Sequence, residues 1–64
     1  MQVNMKLLAA IREAGYRQRD FAGLVGEHES QVSMVINGRL NLDEKRKAMY
    51  AKVLDKSVQE LFTG

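Results

Sequence analysis

Sixty-four residues allow one domain, 1–64, and the absence of cysteine removes disulfides, zinc ribbons and thiol chemistry at once. A lone His28 cannot supply the several ligands of a usual metal site, and no apolar run approaches the ~20 residues that cross a bilayer, so no metal, cofactor or membrane partner is expected. With 45% hydrophobic residues, 28% charged residues and a net charge of +2, the chain is a folded domain that tolerates a polyanionic partner without requiring one.

Apolar residues recur at helical spacing throughout, and no stretch alternates with the period of two of a half-buried strand. The first helix is predicted from Met5 to Ala14, capped by Asn4 and stopped by Gly15, with Leu7, Leu8 and Ile11 inward. The second spans Gln18 to Val25, with Phe21, Ala22 and Val25 inward and Gly26 as its stop. The third covers Glu29 to Ile36, with Val32, Val35 and Ile36 inward, and Asn37-Gly38 marks the turn after it. Asn41 with Glu44 forms a capping-box pattern for a fourth helix through Leu54, whose apolar side is read as Ala48, Met49, Ala51, Val53 and Leu54. Ser57 with Glu60 repeats the pattern for a short fifth helix carrying Val58, Leu61 and Phe62. The expected fold class is all-α, a compact five-helix bundle.

The stretch richest in information is QRDFAGLVGEHESQVSMVIN, residues 18–37. Two helices crossing at a steep angle need a small residue at their approach, and Ala22 supplies it. Gly26 sits at the turn, where positive φ is cheap only for glycine. Phe21, Val25, Val32 and Val35 form an apolar wedge between the two helices.

A small residue, a glycine four positions later and a β-branched residue six after that, inside an all-helical chain, resemble the lambda-repressor-like and Cro-like helix-turn-helix family of phage and bacterial regulators. The resemblance runs from Lys6 to Phe62 and includes the Asn37-Gly38 turn, the segment KAMYAKVL (Lys47 to Leu54) and the closing SVQELF (Ser57 to Phe62). It implies a five-helix bundle that binds a double-stranded DNA operator as a homodimer, with the third helix in the major groove. It further implies a transcriptional repressor or Cro-like regulator working in the cytoplasm of a bacterial host, on its nucleoid. If the chain is complete, no effector domain follows Gly64, and regulation is expected to act through concentration.

By position, Gln18 matches a residue that bonds a phosphate and buttresses the recognition helix. Glu29, Ser30 and Met34 match positions facing base edges, Gln31 lies nearby, and Asn37 matches a DNA-backbone contact. The chemistry agrees: Glu29 can accept from a cytosine amino group, Ser30 can serve several bases, Met34 can touch a thymine methyl and Gln31 can pair with adenine. Arg17, Arg19, Arg39 and Lys45, the last within the Lys45-Arg46-Lys47 run, are candidate phosphate contacts. Gly23 within the second helix is a departure that costs up to about 1 kcal/mol. Glu27 stands where the family has an apolar turn residue, so that part of the core is expected to be looser. Glu29 is acidic where a neutral donor is common. These two acids motivate an alternative, a helix-turn-helix-fold protein-interaction module, antirepressor- or antitoxin-like, with weak or no DNA binding. No paired-carboxylate, nucleophile–base or phosphate-loop pattern is present, so neither an enzyme nor a small-molecule ligand is expected. The end of the chain, Val58, Leu61 and Phe62 with part of the fourth helix, is the expected dimer surface unless those side chains close the core instead.

Overall fold

The computed structural model describes residues 3–62, which form α1 (Met5–Glu13), α2 (Gln18–Leu24), α3 (Glu29–Ile36), α4 (Glu44–Leu54) and α5 (Val58–Phe62). No strand occurs among the described residues. The all-α five-helix bundle is the observed fold, and α3 has the predicted bounds. α1 and α2 each end one residue earlier than read, with Ala14 and Val25 serving as C-caps.

The helix ends follow one pattern. After α2 the amide of Glu27 donates to Ala22 O at 2.8 Å and that of Gly26 to Gly23 O at 3.3 Å, the paired bonds of a Schellman motif. Gly26 adopts φ +74°, the left-handed conformation this closure requires. The same pair of bonds closes α1 and α3. α4 closes likewise, through Lys56 N to Ala51 O at 3.0 Å, but its left-handed residue is Asp55, at φ +55°. Aspartate tolerates that region better than most non-glycine residues, so no glycine announces this helix end.

Asn4 caps α1 as predicted, Oδ1 accepting from Leu7 N at 3.0 Å. Its Nδ2 also donates to Leu61 O at 2.8 Å, and its backbone N–H donates to Ile36 O at 2.6 Å. One residue therefore ties the starts and ends of three helices together. α5 shows the predicted reciprocal cap, Glu60 N to Ser57 Oγ at 3.0 Å and Ser57 N to Glu60 Oε1 at 3.4 Å. For α4 the cap is corrected: Asp43, not Asn41, accepts from Arg46 N at 2.8 Å. The segment before it runs non-helical far enough to seat Leu42 in the core, which moves the helix start past Asn41.

The core is built around side chains with under 2% exposure: Leu7, Ile11, Phe21, Val32, Tyr50 and Leu61. Phe21 and Tyr50 meet edge to face, centroids 4.9 Å apart at 89°. The apolar side of α4 is also corrected. Ala51 and Leu54 are buried and Val53 is half-buried, whereas Ala48 and Met49 are exposed and Tyr50 takes the central place. Leu61 is part of the core, so of the expected dimer residues on α5 only Val58 and Phe62 keep accessible surface.

Gly23 lies mid-helix on α2 without positive φ, and a Cβ built there meets nothing within 4 Å. Gly23→Ala should therefore raise stability by about 0.5–1 kcal/mol, read as a higher urea midpoint at unchanged m-value. An unchanged or lower midpoint would show that the glycine has a role in the fold.

Candidate nucleic-acid interface

α2 and α3 pack against each other across Phe21, Ala22, Val32 and Val35, and this fixes which side of α3 looks outward. At about 100° per residue, positions 29, 30, 33, 34 and 37 share one face about 140° wide. Val32, Val35 and Ile36 occupy the opposite side and are buried. Glu29, Ser30 and Asn37 are exposed, and Met34 is 40% exposed. These four sequence-predicted residues are thus brought onto a single surface.

Gln31 is placed differently. It falls about 60° beyond the edge of that face and is half-buried. Its Oε1 accepts the His28 backbone N–H at 3.0 Å, so its side chain secures the start of α3. His28 itself occupies the N-cap position with extended backbone. Ser33, which the sequence reading passed over, lies near the centre of the exposed face. Its carbonyl accepts from Asn37 Nδ2 at 2.8 Å and its Oγ lies 3.3 Å from the same nitrogen. The spacing could have revealed it, since Ser33 sits four residues from both Glu29 and Asn37. Asn37 also caps the C-terminus of α3, which orients its amide at the edge of this surface.

The candidate phosphate contacts lie at the start of α2, just after α3 and at the start of α4. Gln18 is half-buried at the first position of α2, flanked by exposed Arg17 and Arg19. The Arg17 backbone N–H donates to Asp20 Oδ2 at 3.4 Å, which holds the entry to α2. Arg39 follows Gly38 beyond the end of α3, and Lys45 lies in the first turn of α4, both exposed. Glu29 stands in the first turn of α3, where the helix dipole favours a carboxylate even without a base partner.

The expectation of a loose core at Glu27 is overturned. Its side chain is only 4% exposed, with Oε1 accepting from Tyr50 Oη at 2.5 Å and Oε2 paired with Arg46 Nη1 at 2.6 Å. A buried carboxylate is tolerated because both oxygens are satisfied by donors. Burial pushes the Tyr50 phenol well above its ordinary pKa of 10.0, and the bond to Glu27 and its negative charge add to this while Arg46 opposes it. Of the two acids that set this motif apart, only Glu29 faces outward.

A helix held by its apolar back against a preceding helix, with a largely polar free side and arginines on the flanking segments, has the geometry of a helix-turn-helix module. The Helix-turn-helix family matches residues 7–61, and the chain belongs to this family of lambda-repressor-like and Cro-like, XRE-type domains. It is thereby a DNA-binding regulator by class. No curated protein sequence matches it significantly. Among solved structures it is similar to the restriction-modification controller protein C.AhdI from Aeromonas hydrophila, with 29% identity and a TM-score of 0.83 over 92% of this chain and 86% of that one. No helix among the described residues is long and apolar enough to cross a membrane.

Proposed function

We propose that the protein is a transcription regulator that inserts α3 into the major groove of a specific duplex site and binds there as a homodimer. The observation that carries this reading is the single outward face of α3, on which Glu29, Ser30, Met34 and Asn37 are exposed around a half-buried Ser33. Glu29, Ser30 and Met34 read base edges. Gln18 and Asn37, with Arg17, Arg19, Arg39 and Lys45, hold the phosphates on either side. Gln31 serves first to fix the N-terminus of α3 and reaches a base only on leaving His28. One module spans few base pairs, so two copies on paired half-sites supply the specificity a regulator needs. A repressor or Cro-like role in a bacterial cytoplasm follows from the family, and the similarity to a restriction-modification controller adds control of such genes to the candidate circuits.

The test is a selection from a random duplex pool at low salt, with a Glu29→Ala, Asn37→Ala double variant alongside. Enrichment of a palindrome that the variant loses or alters is the expected result, and the half-site spacing then reports the dimer. If the folded wild-type protein enriches nothing, the outward face of α3 serves a protein partner instead.

A further inference from the structure

The sequence reads Arg46 only as part of the basic Lys45-Arg46-Lys47 run, and its placement goes beyond that. It lies on α4, yet its guanidinium is carried to the turn between α2 and α3, where Nη1 meets the buried Oε2 of Glu27. Its partner's side chain is almost enclosed, but the Arg46 side chain is 54% exposed. The carboxylate is in turn fixed by Tyr50, itself 1% exposed in the core. A long, flexible side chain is thus anchored at one nitrogen while the rest of its N–H fork faces solvent. The anchor point is two residues before Glu29, the first residue of the recognition helix. Beside it lies a surface groove of about 400 Å³ lined by Val25, Asp43, Lys45, Arg46, Met49 and Tyr50.

We propose that Arg46 is a DNA-backbone contact and that Glu27 is the positioning residue that aims it. The inference rests on the reading of α3 as the major-groove helix, because groove-bound helices are flanked at their first turn by the phosphates of the groove wall. Free arginine side chains lose rotamer freedom when they grip a phosphate. Here the buried carboxylate has already restricted Arg46, leaving planar donors suited to phosphate oxygens. Lys45, next to it on the groove, adds positive charge, while Asp43, on the same groove, and Glu29 oppose it.

The experiment uses a duplex carrying the selected site and measures affinity against salt concentration for wild type, Arg46→Gln, Glu27→Gln and the double variant. Loss of one phosphate contact should reduce the slope of log K against log salt by ~0.9 and weaken specific and non-specific duplexes alike, several-fold. An unchanged slope in Arg46→Gln overturns the contact. For the positioning role, Glu27→Gln should weaken binding when Arg46 is present and should not when Arg46 is Gln. An equal gain in both backgrounds would make Glu27 merely a nearby negative charge and overturn that role. Scanning the duplex with single methylphosphonates makes each protein its own reference, whatever its stability. Wild type should be sensitive at one phosphate where Arg46→Gln is not, and identical sensitivity profiles overturn the contact. If the wild type shows no salt-dependent binding at all, the functional reading itself fails first.

Discussion

Glu27→Ala is expected to lower the unfolding free energy by about 2–4 kcal/mol. The largest part, about 1–3 kcal/mol, comes from leaving the buried Tyr50 hydroxyl without an acceptor. Lost packing of the buried stem adds about 1 kcal/mol. The ion pair adds less than about 1 kcal/mol, because Arg46 is half-exposed and water screens it. Tyr50→Phe should cost about 1.5–3 kcal/mol, since it withdraws a donor from a buried carboxylate. The decisive variant combines Glu27→Val with Tyr50→Phe. With both polar partners gone the site becomes apolar, and stability should return to within about 1 kcal/mol of wild type or exceed it. Denaturant melts of wild type, Glu27→Val, Tyr50→Phe and the double variant give the coupling directly, and additive losses would show that the bond carries no energy.

The same pair sets an alkaline limit. The Tyr50 phenol ionises less readily in the folded protein than in the unfolded chain, so its contribution is fully present below pH 10. As pH rises past 10, the unfolded state sheds this proton first, and stability falls by about 1.4 kcal/mol per pH unit. The stability difference between wild type and Tyr50→Phe should therefore shrink above pH 10 and stay constant below it. A constant difference across that range would contradict the placement of Tyr50.

Asn4→Ala is the second large effect, an expected loss of about 2–4 kcal/mol. The helix cap accounts for about 1 kcal/mol. The remainder is the bond to Leu61, whose carbonyl would lose its donor at a half-buried site. A domain of this length holds only about 3–10 kcal/mol in all, so the midpoint of thermal unfolding should drop on the order of 10–20 °C. Asn4→Ser keeps a capping oxygen but cannot reach Leu61, so it should recover roughly the cap and no more. The backbone bond from Asn4 to Ile36 survives every side-chain substitution. A loss below about 1 kcal/mol in Asn4→Ala would mean that the side chain does not join α1 to α5.

Helix bounds were legible because caps and stops are local. Asn4, Ser57 with Glu60, and the glycines after α1, α2 and α3 each act within a few residues of the end they mark. The end of α4 carried no such sign, because Asp55 does the work of a glycine. At the start of α4 the capping-box pattern pointed to Asn41, and burial of Leu42 moves the cap to Asp43. Tyr50 and Glu27 were misjudged for a different reason. Each looks polar alone, and each is satisfied by a residue 23 positions away. The outward face of α3 followed from helical period alone, and so should have included Ser33. The same period sets Gln31 outside that face, and its bond to the His28 amide holds the side chain at the start of the helix.

The bond between Asn4 and Leu61 spans 57 residues. A ribosome adding ~5–20 residues per second takes roughly 3–11 s to bridge that interval. Throughout it, α1 has lost one of its anchors and α3 stands without α5 behind the junction at which Asn4 also binds Ile36. A nascent chain therefore reaches its closed form only after Leu61 has been synthesised and has cleared the exit tunnel. That interval is elongation itself, so the closed, DNA-competent form arises only as synthesis of this segment finishes.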